Sequence, residues 1–390
     1  MALIADKNQK KILIIAGEAS GDLHGSNLVK EMLSLNPKLK FFGVGGEKMR
    51  KAGVNLVADI TDMAVVGITE AIFKLRNIYW VYRQLKKSLT LNPPSLIILI
   101  DYPDFNLLFA RVAKKKRIPI VYYISPQIWA WRKRRVKLMA RLIKKMIVIF
   151  PFEKKFYQEA NIDVDFVGHP LLDSIRPQFS RDEAFRKFSL NPEFTTIGLL
   201  PGSRMSEINR HLPPMLKAIP LISRKLQPVQ FIIPVAPGLD FKKIENLTFS
   251  QNQNLRVVEN SIYEVMQIAD LLLVASGTAT VEATIIGTPM IVVYRVSPFT
   301  YLLGKMLIKV KNIGMVNIIA GKTIVPELIQ KDLNPEKITH TVLSILKNPK
   351  ILKEMRKELA KVRKKIGKPG ASSRAARIIN EILQQNDINR

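Results

Sequence analysis

The chain has 390 residues, 47% of them apolar, and no cysteine, so it is long enough for two domain cores and contains neither disulfides nor thiolate sites. Lysine and arginine number 61 against 32 acidic residues, and this net charge of +29 favours an anionic partner or surface. No stretch approaches the roughly 18 apolar residues of a membrane span. The N-terminal apolar run leads into a Gly/Asp turn, which is typical of a first strand rather than a signal peptide.

The first half of the chain alternates short apolar runs with amphipathic stretches, which predicts parallel strands joined by helices. After the first strand, the turn 17–22 opens a helix at Ser20, Gly21 and Asp22. This turn has the position of a phosphate-binding turn but lacks the pattern G-x-G-x-x-G. Three further glycines, 43, 45 and 46, follow the second strand with the wrong spacing, so the sequence disfavours a bound dinucleotide.

The segment 63–89 predicts an amphipathic helix, because apolar residues recur at alternating four- and three-residue intervals. Phe73 and Trp80 lie outside the main apolar stripe, and basic residues surround them. Apolar side chains on more than one face, flanked by positive charge, suit a helix that also touches lipid. A core helix with two additional aromatic residues explains the pattern as well. The stripe consists of Ile68, Ile72, Leu75, Tyr79 and Tyr82.

A short buried strand at 95–100 is followed at its carboxyl end by the sequence DYPDFN. In open α/β sheets the ligand lies at that edge. Asp101 is therefore a candidate general base, whereas Asp104 or Asn106 can instead cap the next helix.

The stretch 105–152 contains 13 lysines and arginines and no acidic residue. Within it, two tryptophans precede a run of basic residues, a mixture that suits either a membrane interface or stacking and phosphate contacts with nucleic acid. These residues are Trp129, Trp131, Arg132, Lys133, Arg134 and Arg135. Further on, Asp163 and Asp165 share one face of a strand, which fits a metal site less well than a solvated face.

The second half repeats the strand–helix alternation and contains two polar turns. In the first, Gly202, Ser203 and Arg204 precede a helix, where a planar cation and free N–H groups can bind a diphosphate. The second turn comprises residues 276–278, and Glu282 follows one helical turn later. A nucleotide sugar fits this spacing, with its diphosphate at the helix tip and its ribose at the carboxylate. An ordinary strand–helix–strand unit with Glu282 facing solvent fits it equally.

Nine motifs occur in chain order, and none of them is specific alone. Together they resemble the lipid-A-disaccharide synthase family, which are inverting glycosyltransferases. They are GEASGD (17–22), VGITE (66–70), IDYPDFN (100–106), SPQIWAWR (125–132), FPFEKKFY (150–157), VGHPL (167–171), LLPGSR (199–204), ASGTATVEA (275–283) and MVNIIAG (315–321).

The resemblance implies an α/β fold of two Rossmann-like domains that face an interdomain cleft, the GT-B architecture. Residues 1–170 would bind the acceptor and the membrane, and 171–365 would bind the UDP-sugar. Residues 366–390 would form a C-terminal helix that packs back on an N-terminal domain. The residue before the proline in DYPD departs from expectation, because Tyr102 is larger than we expect there and crowds the loop of the base.

The family's activity, carried over, joins UDP-2,3-diacylglucosamine to 2,3-diacylglucosamine 1-phosphate (lipid X), with inversion and without a cofactor or a metal. Asp101 matches the family's essential aspartate and is the expected base. The expected substrate contacts are Glu18, Ser20, Gly21, Asp22, Asn106, Gly202, Ser203, Arg204, Ser276, Gly277, Thr278, Glu282 and Asn317.

Because both substrates carry acyl chains, the resemblance implies a cytoplasmic protein, peripheral on the inner face of the inner membrane, with an anionic surface as partner and no nucleic acid. It also suggests a homodimer. The expected docking residues are Ile68, Ile72, Phe73, Leu75, Trp80, Trp129, Trp131, Arg132, Arg134 and Arg135. Two alternatives remain: another GT-B enzyme, such as a UDP-GlcNAc epimerase or a lipid-linked GlcNAc transferase, and a basic nucleic-acid-binding protein.

Overall fold

The computed structural model describes residues 9–60, 68–126, 133–248, 254–297, 301 and 312–388, of which 68–75, 133–134 and 386–388 are described by their backbone alone. The chain forms two compact units. Unit 1 comprises Met1–Asp173 and Gly367–Arg390, and unit 2 comprises Ser174–Ile366. The functional roles assigned to 1–170, 171–365 and 366–390 stay predictions.

Unit 1 contains a parallel sheet of seven strands: β1 (Lys11–Ala16), β2 (Lys40–Gly45), β3 (Val54–Asp59), β4 (Leu96–Ile100), β5 (Ile120–Tyr123), β6 (Lys145–Val148) and β7 (Val164–Phe166). Their spatial order is β3-β2-β1-β4-β5-β6-β7. The helices before the boundary are α1 (Ala19–Leu35), α2 (Glu47–Lys51), α3 (Ile68–Leu91), α4 (Pro103–Lys115), α5 (Lys133–Leu142), α6 (Pro151–Gln158) and α7 (Leu171–Ser174).

The central strands of unit 1 are nearly continuous runs of Ile and Leu, and every residue of β4 is buried. Such runs are typical of parallel strands that helices cover on both faces. The glycines of β2 are explained by packing rather than by a ligand. An added Cβ at Gly43, whose φ is +150°, would lie 1.9 Å from the carbonyl oxygen of Ile14, where the pairing of β2 with β3 also shifts.

Unit 2 contains a second parallel sheet: β8 (Thr195–Leu200), β9 (Val229–Val235), β10 (Leu255–Glu259), β11 (Leu271–Ala275), β12 (Met290–Tyr294) and β13 (Glu327–Ile329), in the order β10-β9-β8-β11-β12-β13. Its helices are α8 (Arg181–Lys187), α9 (Met205–Ser223), α10 (Phe241–Thr248), α11 (Ile262–Ile268), α12 (Thr278–Ile286), α13 (Met315–Ala320), α14 (Pro335–Leu346) and α15 (Pro349–Lys365), with a 3-10 turn at Gln330–Asp332.

The strand order reverses once in each sheet, between β1 and β4 in unit 1 and between β8 and β11 in unit 2. Doubly wound parallel sheets bind ligands at the carboxyl ends of the strands beside such a reversal. The prediction of two Rossmann-like α/β units is confirmed. The residues that follow β1, β4, β8 and β11 are therefore the first to consider for function.

A last helix, α16 (Ala371–Ile388), belongs to unit 1 although the chain reaches it only after unit 2. It packs against α1, and Ala375, Ile379 and Leu383 are buried. The Arg374 guanidinium donates hydrogen bonds of 2.9 and 2.7 Å to the carbonyl oxygen of Val167. Across the part of the chain that the structure describes, none of the helices combines the length and the apolar character that crossing a membrane requires.

Candidate active site

The candidate base lies at the reversal point of unit 1. Asp101 follows β4 directly and is partly buried, and β4 pairs with β1 so that Ile100 is opposite Ala16. Asp101 and Tyr102 both have left-handed backbones, with φ of 44° and 46°. Two consecutive non-glycine residues in this region are energetically unfavourable and need support from their surroundings.

Burial, and to a smaller degree the nearby Glu18 carboxylate, raise the pKa of the Asp101 carboxyl to about 6, against a hydrogen bond from the Tyr102 backbone that lowers it. A carboxylate with such a pKa is ionised at neutral pH and is a stronger base than an exposed aspartate. It therefore has the protonation behaviour that proton abstraction from a hydroxyl requires.

Tyr102 lies against the backbone of the turn after β1. An added Cβ at Gly17 would lie 2.2 Å from the nearest atom of the Tyr102 ring, so only glycine fits there. The ring centroid is also 5.8 Å from that of Phe105. The large residue that departs from the expected motif is thus accommodated by Gly17, and it joins the turn after β1 to the turn after β4.

The other expected contacts in unit 1 differ in exposure. Glu18 and Ser20 are exposed, whereas Gly21 is buried. The buried Asp22 carboxylate accepts hydrogen bonds from the backbone N–H groups of Gly46, Lys48 and Met49, at 2.7, 3.1 and 3.0 Å. These bonds hold the start of α2 and account for Asp22 structurally, so its contact with a substrate stays a prediction.

In unit 2 the first polar turn lies at the reversal point, directly after β8. Arg204 is the N-cap residue of α9, its side chain is 67% exposed, and a guanidinium nitrogen lies 3.7 Å from the Glu207 carboxylate. Glu207 also accepts a 2.9 Å hydrogen bond from the N–H of Ser203. At Gly202, an added Cβ would lie 2.4 Å from this same carboxylate. The turn is thus held closely while the cation stays accessible.

The second polar turn of unit 2 follows β11, whose Val274 pairs with Leu200 of β8, so the two turns start from adjacent strands. Gly277 has φ +152° and is the N-cap residue of α12, and Thr278 begins the helix; both are exposed. The Ser276 hydroxyl donates to the carbonyl oxygen of Ile313 at 3.1 Å. This arrangement places a helix N-terminus beside the turn of Arg204, as anion binding requires.

Glu282 lies on α12 and is half-buried. Burial raises the pKa of its carboxyl, and a 3.2 Å hydrogen bond from the Tyr263 hydroxyl opposes the shift. A carboxylate can accept several hydrogen bonds, and within the described residues Tyr263 is the one donor to it. Glu282 therefore keeps the capacity to accept further donors, such as ligand hydroxyls.

Asn317, on α13, is buried and its side chain is fully used within unit 2. Its amide nitrogen donates to the Val325 carbonyl and to Glu327 at 2.9 and 2.7 Å, and its oxygen accepts from the N–H groups of Ile324 and Val325. These bonds give Asn317 a structural role; its substrate contact stays a prediction.

One histidine that the sequence did not single out supports the Arg204 turn. His211 is buried on α9, with Nδ1 2.7 Å from the carbonyl oxygen of Pro201, and its Nε2 accepts from the N–H of Arg295 at 3.0 Å. Nδ1 must therefore carry the proton. The ring links the loop after β8 to the chain after β12, and burial is the main cause that lowers its pKa.

The comparisons with known proteins decide the family. The sequence profile described as lipid-A-disaccharide synthetase matches residues 12–382. The lipid-A-disaccharide synthase of Syntrophus aciditrophicus is 49% identical and covers 97% of this chain and 100% of its own length. That of Geobacter metallireducens is 48% identical over 96% and 97%. The chain belongs to the lipid-A-disaccharide synthase family. It is therefore a glycosyltransferase of lipid A biosynthesis.

Solved structures agree on the fold. The UDP-GlcNAc 2-epimerase of Neisseria meningitidis, bound to UDP-GlcNAc, has a TM-score of 0.65 and is 15% identical over 96% of this chain and 100% of that one. The calicheamicin glycosyltransferase CalG4 has a TM-score of 0.61 and is 17% identical over 97% and 99%. At these identities the likeness concerns the fold alone. The full-length sequence match to the synthase family disfavours the epimerase, lipid-linked transferase and nucleic-acid-binding alternatives.

The expected docking residues are described only in part. The side chains of Ile68, Ile72, Phe73, Leu75 and Arg134, and all of Trp129, Trp131 and Arg132, lie outside the described residues. Trp80 on α3 is 52% exposed, and Tyr79 beside it is 61% exposed. Arg135 forms an ion pair with Asp104, which occupies its guanidinium.

The two aspartates considered for metal binding contact a lysine. The Lys145 ammonium lies 2.6 Å from Asp163 and 2.8 Å from Asp165, and these carboxylates raise the pKa of the lysine against the effect of burial. Among the described residues, no group of three or more potential ligands could hold a metal ion.

The raised pKa of Asp101 predicts a specific pH dependence of stability. The folded protein holds the Asp101 proton more tightly than the unfolded chain, whose pKa is near 3.8, so ionisation of Asp101 destabilises the fold as the pH rises from about 4 to about 6. Asp101→Asn removes this titration and keeps a residue that tolerates the left-handed backbone. We expect the variant to gain roughly 2–3 kcal/mol relative to wild type across that window. Unfolding midpoints from pH 4 to 7 measure the difference; a constant difference would contradict the assignment.

Proposed function

We propose that the chain transfers 2,3-diacylglucosamine from UDP to the 6-hydroxyl of 2,3-diacylglucosamine 1-phosphate, giving UDP and a β-1′,6-linked disaccharide 1-phosphate. Family membership supports this reaction class. The proposed residue roles rest on where the candidate groups lie. Asp101 lies at the strand-order reversal of unit 1, and Arg204 and the start of α12 lie at that of unit 2.

Asp101 is the proposed general base. UDP-sugars are α-linked, so a β product requires one inversion at the anomeric carbon. The acceptor O6 attacks this carbon, its proton passes to the Asp101 carboxylate, and the bond to the UDP oxygen breaks on the opposite face. A pKa of about 6 keeps the carboxylate ionised at neutral pH.

The leaving diphosphate gains negative charge as its bond to the sugar breaks. The exposed Arg204 guanidinium and the N-terminus of α12 are the proposed groups that stabilise it. The backbone that carries both groups is held in place: Glu207 and His211 hold the Arg204 turn, and β11 precedes the start of α12. Glu282, one helical turn beyond the phosphate position, is the proposed partner of the ribose hydroxyls. The Neisseria meningitidis epimerase, which has a similar fold, is bound to UDP-GlcNAc, and this supports the proposal of a UDP-sugar ligand.

Both proposed substrates carry acyl chains that lie in a bilayer, so the protein must collect them at a membrane surface. We place the docking surface on α3, where Trp80 and Tyr79 are exposed beside Arg83, whose guanidinium is 6.0 Å from the Tyr79 ring centroid. Exposed aromatic rings among cations suit the interface of an anionic membrane. The inner face of the inner membrane is the proposed location.

Mass spectrometry of the product formed from the two sugar substrates tests the reaction. We expect the disaccharide 1-phosphate and UDP from wild type.

Asp101→Asn should lower kcat by about 10²- to 10⁴-fold, because the base is lost, while UDP still raises the melting temperature. Asp104→Asn is the matched control, because it removes an exposed carboxylate three residues away, in the first turn of α4, and its kcat should stay close to wild type. Loss of both turnover and UDP binding in Asp101→Asn would make Asp101 structural. Absence of the disaccharide would refute the reaction.

The role of Glu282 is tested by the ribose itself. If its carboxylate accepts the ribose hydroxyls, wild type should bind UDP about 10-fold more tightly than 2′,3′-dideoxy-UDP, and Glu282→Gln should lose most of this preference. Calorimetric titration measures both affinities. An unchanged preference in the variant would assign the ribose to other residues.

Docking through α3 predicts that Trp80→Ser weakens co-sedimentation with vesicles of anionic phospholipid several-fold, because an interfacial indole is lost. Leu35→Ser is the matched control: Leu35 is an exposed apolar residue, 45% exposed, on another helix of unit 1. Wild type should bind zwitterionic vesicles less than anionic ones. Equal effects of the two substitutions would remove α3 as the docking surface.

A further inference from the structure

The backbone of Asp101 is held by two buried side chains of unit 1. The hydroxyl of Tyr122, on the adjacent strand β5, donates a short hydrogen bond to the Asp101 carbonyl oxygen. The Asn106 amide, on α4, donates to the same oxygen at 2.7 Å and to the carbonyl oxygen of Ile100 at 3.2 Å. The N–H of Asp101 donates to the carbonyl oxygen of Ile124 at 3.2 Å. Every backbone polar group of Asp101 is therefore fixed.

These hydrogen bonds stabilise a loop whose backbone conformation is otherwise unfavourable. Left-handed backbones cost roughly 1–2 kcal/mol per non-glycine residue, and Asp101 and Tyr102 adopt two in succession. A peptide in this state tends to relax unless its surroundings fix it. Relaxation of the backbone would change the direction in which the Cα–Cβ bond of Asp101 points, and the carboxylate would move away from the acceptor hydroxyl.

The Tyr122 hydroxyl contacts the Asp101 carbonyl and the Asn106 side chain, and a phenylalanine would make neither contact. Its ring is fully buried in the core of unit 1, where a hydroxyl is costly without a partner. Burial and the Asp101 charge raise the pKa of Tyr122 well above its usual value, so the group remains a donor at every working pH. Asn106 is also fully buried, and its Oδ1 has no hydrogen-bond partner in the described structure. The hydrogen bonds that its amide nitrogen donates to the backbone therefore explain why an asparagine is buried here.

We propose that Tyr122 is a positioning residue of the transfer reaction: with Asn106, it clamps the carbonyl of the base and thereby sets the direction of the Asp101 carboxylate. This inference rests on the proposed role of Asp101 as the base. It gives Asn106 a positioning role in place of the substrate contact that the family resemblance implies. We expect a misplaced base to change turnover rather than substrate affinity, because both side chains are fully buried and act through the backbone of Asp101.

The test compares Tyr122→Phe with Tyr123→Phe. The two tyrosines are neighbours on β5 and both are fully buried, but they point to opposite faces of the sheet, and the Tyr123 hydroxyl lies near Ser372 of α16. We expect Tyr122→Phe to lower kcat about 10- to 100-fold, with KM of both substrates and UDP affinity within about 3-fold of wild type. Tyr123→Phe should keep the wild-type kcat.

The pH dependence of activity in Tyr122→Phe provides a second measurement. A purely structural role of Tyr122 would leave this pH dependence unchanged. Released from its clamp, the Asp101 carboxylate turns toward water, so the acidic limb of kcat/KM, which reports the free enzyme, should shift from about pH 6 toward the ordinary aspartate range. An unchanged kcat in Tyr122→Phe, equal losses in both variants, or a rise in the acceptor KM alone would each overturn the inference. If Asp101→Asn is inactive while Tyr122→Phe is normal, the inference fails and the proposed reaction stands. If Asp101→Asn is active, the role of the base fails.

Discussion

The reversal of strand order in each parallel sheet is the constraint on which the rest of the structure depends. Strands on either side of the reversal send their following helices to opposite faces, so the turns after these strands are left uncovered. In unit 1 these are the turns that contain Gly17 and Asp101, and in unit 2 those that contain Arg204 and Gly277. The polar residues proposed for function in each unit lie at these turns.

The two proposed sites differ in the charge and the burial of their main ionisable group. Unit 1 withdraws a carboxylate from water, which raises its basicity at the cost of stability, and surrounds its backbone with donors. Unit 2 leaves a cation exposed beside a helix N-terminus and fixes only its backbone, through Glu207 and His211. A base gains from desolvation, whereas a binding site for a highly charged diphosphate must admit a strongly hydrated ligand. The difference in burial between Asp101 and Arg204 therefore follows from the charge that each group would meet.

The sequence identified the groups that directly follow apolar runs, because a strand end is a local property. Asp101 directly follows β4, Arg204 lies in the turn after β8, and Glu282 lies in the helix that follows β11. The supporting residues could not be predicted. Tyr122 reaches Asp101 only through the pairing of β4 with β5, and a single sequence gives neither the neighbour of a strand nor its register.

The same limit applies elsewhere in the chain. Glu282 was expected either at a ligand or in solvent, and its contact with Tyr263, 19 positions earlier, has no local signal. Tyr102 was expected to crowd its loop, but the space that it needs is created by Gly17, which is distant in sequence. Asp22 and Asn317 have polar side chains within recognisable motifs, yet both are engaged by backbone groups that only the folded chain brings near them.

The position of α16 has a consequence for biosynthesis. Unit 2 is one continuous segment, Ser174–Ile366, inserted into unit 1, so it can complete its folding while the ribosome is still adding later residues. Unit 1 cannot be completed earlier, because α16 covers a surface of α1 and Arg374 donates to the Val167 carbonyl, and both contacts need α16 to have been synthesised. The covered surface of α1 is therefore synthesised long before the helix that covers it, because all of unit 2 lies between them in the chain.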